Sequence, residues 1–368
     1  MLMNGLAKIL IAESKGVTRF ADLFVGSGAV AWHVAENIQC QVLANDLQSF
    51  AVSLAEAVIT RREPADPSDV WDRWQRNALR AAKQNRLFSK AEHFHGVTWE
   101  AARRRSVNLA RLMCAEGAGP ITRAYGGHYY SPQQALLLDA YRQTLPDKLA
   151  DARICLGALI WAASQCAAAP GHTAQPFQPT KKAASFLFDA WRRDIGVYLK
   201  AALDRICPKH AKLPGEATVC DAETLASQLN HRDLAFIDPP YSGVHYSRFY
   251  HVLETVARGR CGSIAGVGRY PTPAERPKSD FSVKSRSNEA LDTLLEILAN
   301  NGTKAILTFP CEETSNGLSG TAVEAVAKKY FYLRKTVVNG RFSTLGGRPT
   351  DRKARVPAYE LILVLSPR

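Results

Sequence analysis

The sequence predicts a Rossmann-like α/β fold with a mixed seven-stranded sheet and a long helical insertion. Three observations predict it. Strand-like and helix-like segments alternate over the first 60 residues, the alternation returns after residue 213, and helical patterns dominate the region between. A strand–helix–strand start implies a parallel sheet that is covered on both faces.

The first 60 residues give a strand, a glycine turn, a helix and a second strand. VTRFADLF (17–24) is rich in apolar and branched residues and runs into the turn VGSGA. AVAWHVAENI (29–38) follows at helical spacing, and QVLAND (41–46) is a short apolar strand that closes on an acid. We therefore expect a βαβ unit at the start of the sheet.

Residues 63–213 differ from the first 60 residues in composition and spacing, and we expect them to be mostly helical. Ala, Arg, Gln and Leu are frequent there, and loops that contain Gly and Pro separate the helical segments. Examples are the helices predicted at 71–88 and 131–145 and the loops at 117–120 and 170–182.

The most apolar run of the chain lies inside this region, at 154–169. It is about 16 residues long and contains Ser164 and Gln165, which is short and polar for a membrane-spanning helix. We expect a buried helix there.

Alternation of strands and helices returns in the last third of the chain. A basic loop at 258–278 interrupts it, and an Asn-Gly stop signal ends one of the helices. The predicted elements are a strand and short helix in 217–229, a strand in 234–241, a helix at 287–302, a strand at 304–310, a helix at 321–330, and an antiparallel pair formed by 331–339 and 358–366.

Positive charge is concentrated in the middle of the chain. The formal net charge is +13, and residues 61–215 hold 24 Lys and Arg against 13 Asp and Glu. A basic block of this size points to a polyanionic partner, although composition alone also fits a soluble protein of high pI. Within the block, Arg103, Arg104 and Arg105 form either a solvated helix face or a phosphate contact.

Cysteine and histidine usage gives no sign of a disulfide framework or a metal site. None of the eight cysteines forms a CxxC pair, so we expect reduced thiols in a cytoplasmic protein. His172, His245 and His251 lack ligand spacing with nearby Cys or carboxylates, so we expect no metal. Charged residues interrupt the apolar run of residues 1–20, which does not resemble a secretory signal.

A glycine turn and an acid predict a nucleotide-like cofactor at the first two strands. Gly26 and Gly28 let the backbone approach a ligand closely, and the helix that follows presents free N–H groups. Asp46 ends the next strand, where an acid can accept both hydroxyls of a ribose. Ala31 holds the third position of a dinucleotide fingerprint, which such a site tolerates, so the glycines do not decide between cofactors.

The segment Asp238-Pro239-Pro240-Tyr241 directly follows the apolar strand LAFI. Two prolines fix a rigid turn and remove two N–H donors. The Asp238 carboxylate and the Pro239 carbonyl then remain as two acceptors at one spot. Together they can hold both hydrogens of an exocyclic amine and turn its lone pair towards an electrophile, here the methyl group of a sulfonium. Tyr241 offers a flat face on which an extruded base can stack.

The pair DLFVGSG and FIDPPY, in that order, resembles the Dam-like (alpha-group) adenine-N6-specific DNA methyltransferases, which depend on S-adenosylmethionine. YSPQQALLLDAYR, SGVHYSRFYHVLE, FSVKS and STLGGR are similar to segments of one bacterial subgroup of that family. The resemblance implies a class I methyltransferase fold. It also implies a catalytic domain built from 1–62 and 214–368, with 63–213 as a helical target-recognition region.

The resemblance assigns roles to single residues. Asp46 would bind the ribose of S-adenosylmethionine, and Asp221 would reach the amino group of its adenine. Family members usually begin with a Lys/Trp-Gly-Gly-Lys segment that contacts the cofactor, and Lys8 is the candidate substitute for it. The resemblance further implies that Phe24, Gly26 and Gly28 line the cofactor site, and that Asp238, Pro239, Pro240 and Tyr241 hold the target adenine.

The reaction that this resemblance implies is methyl transfer to N6 of a flipped adenine in duplex DNA, catalysed mainly by positioning and charge stabilisation. Double-stranded DNA is the expected partner, without a membrane. A cognate restriction enzyme is a further candidate partner, and we expect a monomer or weak dimer. Expected DNA contacts are Arg103, Arg104 and Arg105, Tyr246 (which also suits a core aromatic), and Arg341, Arg348 and Arg352 in the basic tail.

Three alternatives stay open. DPPY loops also occur in rRNA methyltransferases, so the target adenine could lie in RNA. A cytosine N4 target would fit the same chemistry, although a Ser usually replaces the Asp of the motif there. The chain could also be a non-catalytic DNA-binding subunit that kept the fold.

Overall fold

The computed structural model describes residues 5–92, 94, 103–342 and 356–368. Within them, seven strands form one sheet, and two further short strands form a separate antiparallel hairpin. The strands are Arg19–Asp22 (β1), Gln41–Asp46 (β2), Glu216–Val219 (β3), Asp233–Ile237 (β4), Ile264–Ala265 (β5), Tyr270–Pro271 (β6), Lys304–Pro310 (β7), Phe331–Phe342 (β8) and Val356–Pro367 (β9).

The sheet has the order β3-β2-β1-β4-β7-β9-β8. Strands β1, β2, β3, β4 and β7 pair in parallel, and β9 runs antiparallel to both β7 and β8. This mixed seven-stranded sheet confirms the predicted Rossmann-like class I methyltransferase fold.

Helices cover both faces of this sheet. The longer ones before β3 are Leu6–Glu13 (α1), Ala29–Asn37 (α2), Ser49–Ile59 (α3), Pro67–Gln84 (α4), Arg103–Ala115 (α6), Pro132–Gln143 (α8), Leu149–Cys166 (α9), Ala184–Trp191 (α10) and Ile195–Ile206 (α11). The shorter ones are Phe88–Glu92 (α5), Pro120–Tyr125 (α7), Ala222–Ala226 (α12) and Tyr246–Phe249 (α13). The remaining helices are His251–Arg258 (α14), Ser287–Asn300 (α15) and Gly320–Tyr330 (α16).

Alternate residues of the strands face two different cores, as the pleat of a sheet requires. Phe20 and Phe236 pack with α2, α3, α9 and α11 on one face. Ala21 and Ile237 pack with α12, α15 and α16 on the other. The central strands are therefore buried on both faces, which explains why their sequences read as continuous apolar runs.

The helical region packs directly on the sheet domain through α9. Ile154, Cys155 and Leu159 are buried in the same core as α3, which confirms the buried helix predicted at 154–169. Gly157 allows the close approach, since a Cβ atom there would lie 2.8 Å from the Cβ of Ala57. The described helices include none that is both long and apolar enough to cross a membrane.

The predicted elements agree with the structure in kind and order, and the differences have local causes. The helix predicted at 71–88 is α4, which begins at Pro67 and ends at Gln84. Its start is set by Asp66, whose carboxylate accepts hydrogen bonds from the backbone N–H groups of the first turn. The sequence did not predict α1, α3, α13, α14 or the β5–β6 hairpin.

Candidate active site

The carboxyl ends of the parallel strands converge on one edge of the sheet, where the predicted motifs lie. Strand β1 sits in the middle, with β2 and β3 on one side and β4 and β7 on the other. A crevice at such a reversal of strand order is the usual ligand site of open α/β sheets. Phe24 follows β1 and Asp238 follows β4, so both lie at this crevice.

The turn after β1 needs glycine at two positions. Gly26 and Gly28 have φ angles of 50° and 77°, in the left-handed region that favours glycine. A Cβ atom at Gly28 would also lie 3.1 Å from the indole nitrogen of Trp32. Helix α2 starts directly after Gly28, so its first N–H groups face the crevice end of the turn.

Asp46 links this turn to the end of β2. Its Oδ2 accepts a hydrogen bond from the backbone N–H of Gly26 at 3.1 Å, and its Oδ1 accepts one from Gln48 at 3.0 Å. Burial raises the pKa of Asp46 to about 6; the nearby charge of Glu254 adds to the rise, and the two backbone hydrogen bonds oppose it. Each oxygen keeps a further lone pair for a ligand.

Asp221 caps helix α12 at the end of β3. Its Oδ1 accepts hydrogen bonds from the backbone N–H of Thr224 at 2.8 Å and from the Thr224 hydroxyl at 2.7 Å. These bonds, the hydroxyl first, hold the pKa of Asp221 below its usual value. Among the described residues its Oδ2 has no hydrogen-bond donor, so this exposed carboxylate can accept from a ligand.

Asp238 is held by a residue of the neighbouring strand. The hydroxyl of Thr308 donates to Asp238 Oδ1 at 2.9 Å, and Thr308 is fully buried in β7. Burial raises the pKa of Asp238 to about 6, the Thr308 hydrogen bond opposes the rise, and the charge of Glu360 adds to it. Oδ2 receives no donor from the part of the chain that the structure describes, so it is available to a substrate amine.

Asn316 fixes the rest of the catalytic segment from the loop after β7. Its side-chain amide is fully buried and donates to the carbonyl of Pro240 and to that of Phe281, each at 2.9 Å. The Pro240 carbonyl is thus engaged, whereas no described residue donates to the carbonyl of Pro239. This difference leaves the Pro239 carbonyl as the acceptor beside Asp238.

Two cavities meet at these residues. The first, of about 390 Å³, runs along the ends of β1, β2 and β3 and is also lined by residues 277–282. The second, of about 730 Å³, extends from Pro239 and Tyr241 between α2, α9 and α11. The residues that line both are Phe24, Gly26, Asp46, Gln48, Asp238 and Tyr246.

Aromatic side chains line the second cavity next to the catalytic segment. The rings of Tyr241 and Tyr246 lie 6.3 Å apart at 89°, and those of Tyr246 and Tyr250 lie 6.2 Å apart. In the first cavity, Phe24 meets the edge of Phe281 at 5.1 Å. Both cavities therefore offer flat apolar faces, as purine rings require.

Asp46 and Asp238 line both cavities, and a third acid, the buried Asp22, lies close behind them. Burial, together with the charges of Asp238 and Asp46, raises the pKa of Asp22 to about 8. None of these three carboxylates forms an ion pair within the described ranges. Asp22 Oδ1 is buried without any described hydrogen-bond partner. An unpaired cluster of this kind favours a cationic ligand.

The structure brings eight of the predicted cofactor and catalytic residues to the cavities, and Gly28 to the same turn. Lys8 lies apart from them, exposed on α1 and outside the lining of either cavity. The eight are Phe24, Gly26, Asp46, Asp221, Asp238, Pro239, Pro240 and Tyr241.

The structure describes the side chains of only some of the predicted DNA-contacting residues. Tyr246 lines both cavities, so it is not solely a core aromatic. Arg104 and Arg105 are exposed at the start of α6, and Arg103 is described only as a backbone position there. Arg341 is likewise described only in the backbone of β8, and Arg348 and Arg352 lie outside the described residues.

Sequence reasoning missed Thr308, Asn316 and Phe281. The register of β4 on β7 pairs Ile237 with Leu307, so Thr308 is the residue that follows opposite Asp238. A hydroxyl inside the apolar strand KAILTFP was the available signal, because buried polar side chains need partners.

Comparison with known proteins supports the predicted family resemblance for part of the chain. Residues 2–118 match the family model of the D12 class N6 adenine-specific DNA methyltransferases. This confirms the predicted resemblance over the first cofactor motif, and the match ends before the catalytic segment. Over 89 residues the chain is 30% identical to modification methylase StsI of Streptococcus sanguinis. That alignment covers 24% of this chain and only 13% of the relative's length.

Proposed function

We propose that this relative of the D12 class N6 adenine-specific DNA methyltransferases transfers a methyl group from S-adenosylmethionine to N6 of an adenine in duplex DNA. The meeting of the two cavities at Asp238 carries the proposal. A methyl donor in the first cavity and a base in the second would each reach this carboxylate. The family match and the basic middle region support DNA as the substrate.

The first cavity suits the cofactor. S-adenosylmethionine, when bound, supplies a methyl group that is already activated by its sulfonium charge. Asp46 has lone pairs for ribose hydroxyls, and the free oxygen of Asp221 can accept from an adenine amine. Phe24 provides a flat face, and the ionised carboxylates of Asp46 and Asp238 favour a positive charge. These residue types fit a nucleoside that carries a cation.

The catalytic segment suits an amine. Asp238 Oδ2 and the Pro239 carbonyl can accept the two hydrogens of an exocyclic NH₂, which fixes the direction of its lone pair. With a pKa of about 6, Asp238 is ionised at neutral pH and accepts as a carboxylate. Positioning of this kind, together with charge stabilisation, is what in-line methyl transfer needs from the protein.

The aromatic wall of the second cavity suits an extruded base. Tyr241 would stack on the target adenine, and Tyr246 and Tyr250 would exclude water from its edge. A base that leaves the duplex loses stacking, and aromatic contacts replace part of that energy. In this proposal 63–213 is the target-recognition region, and 1–62 with 214–368 the catalytic domain.

Methyl transfer from radiolabelled S-adenosylmethionine to duplex DNA tests the proposal, with the product identified as N6-methyladenine. Asp238→Ala should lower the rate at least ~10²-fold and leave cofactor affinity within a few-fold, because its carboxylate contacts the amine. Asp204→Ala, an exposed acid on α11, is the matched control. Retention of more than about a tenth of the rate in Asp238→Ala would contradict the assignment.

The same assay separates the alternatives. Transfer to structured RNA but not to duplex DNA would move the substrate to RNA, and N4-methylcytosine as product would change the target base. Absence of S-adenosylmethionine binding by the folded protein would support a non-catalytic DNA-binding subunit.

A further inference from the structure

Three arginines from three elements meet beside the β5–β6 hairpin. The guanidinium group of Arg269, in the hairpin turn, donates to the backbone carbonyls of Arg123 and Ala124 at the end of α7. Arg123 and Arg269 line one open cavity of about 510 Å³. Arg111 of α6 donates to the carbonyl of Gly127 at 3.0 Å, two residues beyond α7. We call Arg111, Arg123 and Arg269 the arginine cluster.

Within the described ranges no carboxylate forms a salt bridge with the arginine cluster, although Asp139 and Glu275 lie near it. None of its members forms an ion pair there, and no acid lines the cavity. The oxygens of Asp139 accept hydrogen bonds from the backbone N–H groups of Ile121 and Thr122 at 2.9 and 2.7 Å. Burial raises the pKa of Asp139, and these bonds and the charge of Arg123 oppose the rise. Arg111 and Arg269 are half-buried, and Arg123 is exposed. Like charges that lie close together without a salt bridge are unfavourable, and an external anion relieves them.

Two neighbouring groups respond to this positive field. Burial lowers the pKa of Arg111, and the charge of Arg269 lowers it further. Burial lowers the pKa of His128 to about 3, with Arg269 and Arg111 as further causes. His128 therefore stays neutral at physiological pH. The positive charge at this place comes from the three arginines.

Arg269 has a backbone conformation that an arginine adopts only at a cost in strain, which suggests a role for its side chain. Its φ angle is 54°, and among the described residues it is the one non-glycine residue with positive φ. The residues on either side are held by hydrogen bonds. The carbonyl of Gly268 lies 2.9 Å from both the Tyr129 hydroxyl and Nε2 of His251, and the Tyr270 hydroxyl donates to the carbonyl of Ala174. Glycine would adopt this conformation with less strain, yet an arginine occupies it.

We propose that Arg123 and Arg269, supported by Arg111, bind a phosphate group of the DNA backbone. The planar guanidinium group donates two parallel hydrogen bonds to phosphate oxygens, which suits it to this ligand. Gly262 and Ser263 line the same cavity, so backbone and hydroxyl groups are within reach of the anion. DNA as the source of the phosphate rests on the proposed function.

The cluster is connected to the candidate active site by one short segment. Beyond Arg269, the guanidinium groups of Arg248 and Arg276 lie over the ring of Tyr270, at 4.7 and 5.7 Å from its centre. Residues 277–282 then line the first cavity. A phosphate held at the cluster would therefore contact the same stretch of chain that lines the proposed cofactor cavity.

The test is DNA affinity as a function of salt. Fluorescence anisotropy with a duplex oligonucleotide would compare the wild type with Arg123→Gln and Arg269→Gly, which suits the left-handed backbone. Each variant should bind several-fold more weakly, and the slope of log K against log salt should shrink by about 0.9 per lost contact. Arg232→Gln is the matched control, because Arg232 is exposed before β4, at the opposite edge of the sheet.

The outcomes separate this inference from the proposed function. If the wild type methylates DNA while both variants keep its affinity and salt slope, the inference is overturned. If the wild type methylates nothing, but the slope of log K against log salt is smaller by about one unit in both variants, the proposed function fails and the inference stands. If inorganic phosphate raises the unfolding temperature of the wild type but not of Arg123→Gln, with unchanged DNA binding, the site takes free phosphate and the DNA assignment is wrong.

Discussion

Two carboxylates of the first cavity have hydrogen-bonding capacity that the protein leaves unused. We expect Asp46→Ala and Asp221→Ala each to weaken S-adenosylmethionine binding by roughly 1–3 kcal/mol, because each loses charge-assisted hydrogen bonds. Titration calorimetry on the free protein measures this, with Asp204→Ala as the control for a lost surface charge. Unchanged affinity in both variants would place the cofactor elsewhere.

Asp22 makes a separate prediction about stability and pH. Its folded pKa of about 8 lies above the ordinary carboxyl value, so between about pH 4 and 8 the folded state holds a proton that the unfolded state has lost. Stability therefore falls as pH rises through this range. Asp22→Asn cannot ionise at this position. The unfolding temperature of the variant minus that of the wild type should therefore increase from pH 5 to pH 8.5.

Thermal unfolding followed by circular dichroism, without cofactor, measures this difference. Titrating groups that do not interact with Asp22 are common to both proteins and drop out of the comparison, so the remaining difference reports Asp22 and its coupling to Asp46 and Asp238. A difference between the two unfolding temperatures that stays constant with pH would contradict the raised pKa of Asp22.

At the scale of elements, β7 and the loop after it position the catalytic segment that β4 delivers. Thr308 holds Asp238, and Asn316 holds Pro240. Because the Thr308 hydrogen bond favours the ionised carboxylate, Thr308→Val should raise the pKa of Asp238. The acidic limb of the pH–rate profile, expected near pH 6, should move to higher pH.

Thr308→Ser keeps the hydroxyl and should keep the profile of the wild type, while both variants keep the affinity for S-adenosylmethionine. If Thr308→Val lowers the rate with no movement of the acidic limb, its role is packing rather than control of Asp238.

Elements of the fold were predictable where periodicity and turn residues are strong. β2 and β7 have the predicted bounds, and the two motifs lie at the strand ends where they were expected. The partners of those motifs were not predictable: Thr308 is 70 residues from Asp238 in the chain, and only the pairing of β4 with β7 brings them together. Short elements such as α13 lack enough residues for a clear period.

At the scale of the whole molecule, the helical region is continuous with the core of the sheet domain. Its α9 packs on α3 through Gly157 and Ala57. An exchange of 63–213 for the equivalent region of a relative should therefore retain the α9 residues that face α3. We expect such a chimera to methylate a different DNA site, because base contacts change which sequence is preferred.

Mapping the methylated adenines of the chimera measures this. If a folded, active chimera still marks the original site, specificity does not lie in 63–213, and residues 340–357 become the better candidate.

Base-resolution mapping of modified bases in cells that lack adenine methylation and express this chain tests most directly whether the protein methylates adenine at Asp238. We expect N6-methyladenine at one recurring short sequence, and none in cells that express Asp238→Ala at the same level. No modified adenine despite folded wild-type protein, or the same pattern with Asp238→Ala, would contradict methyl transfer at this site.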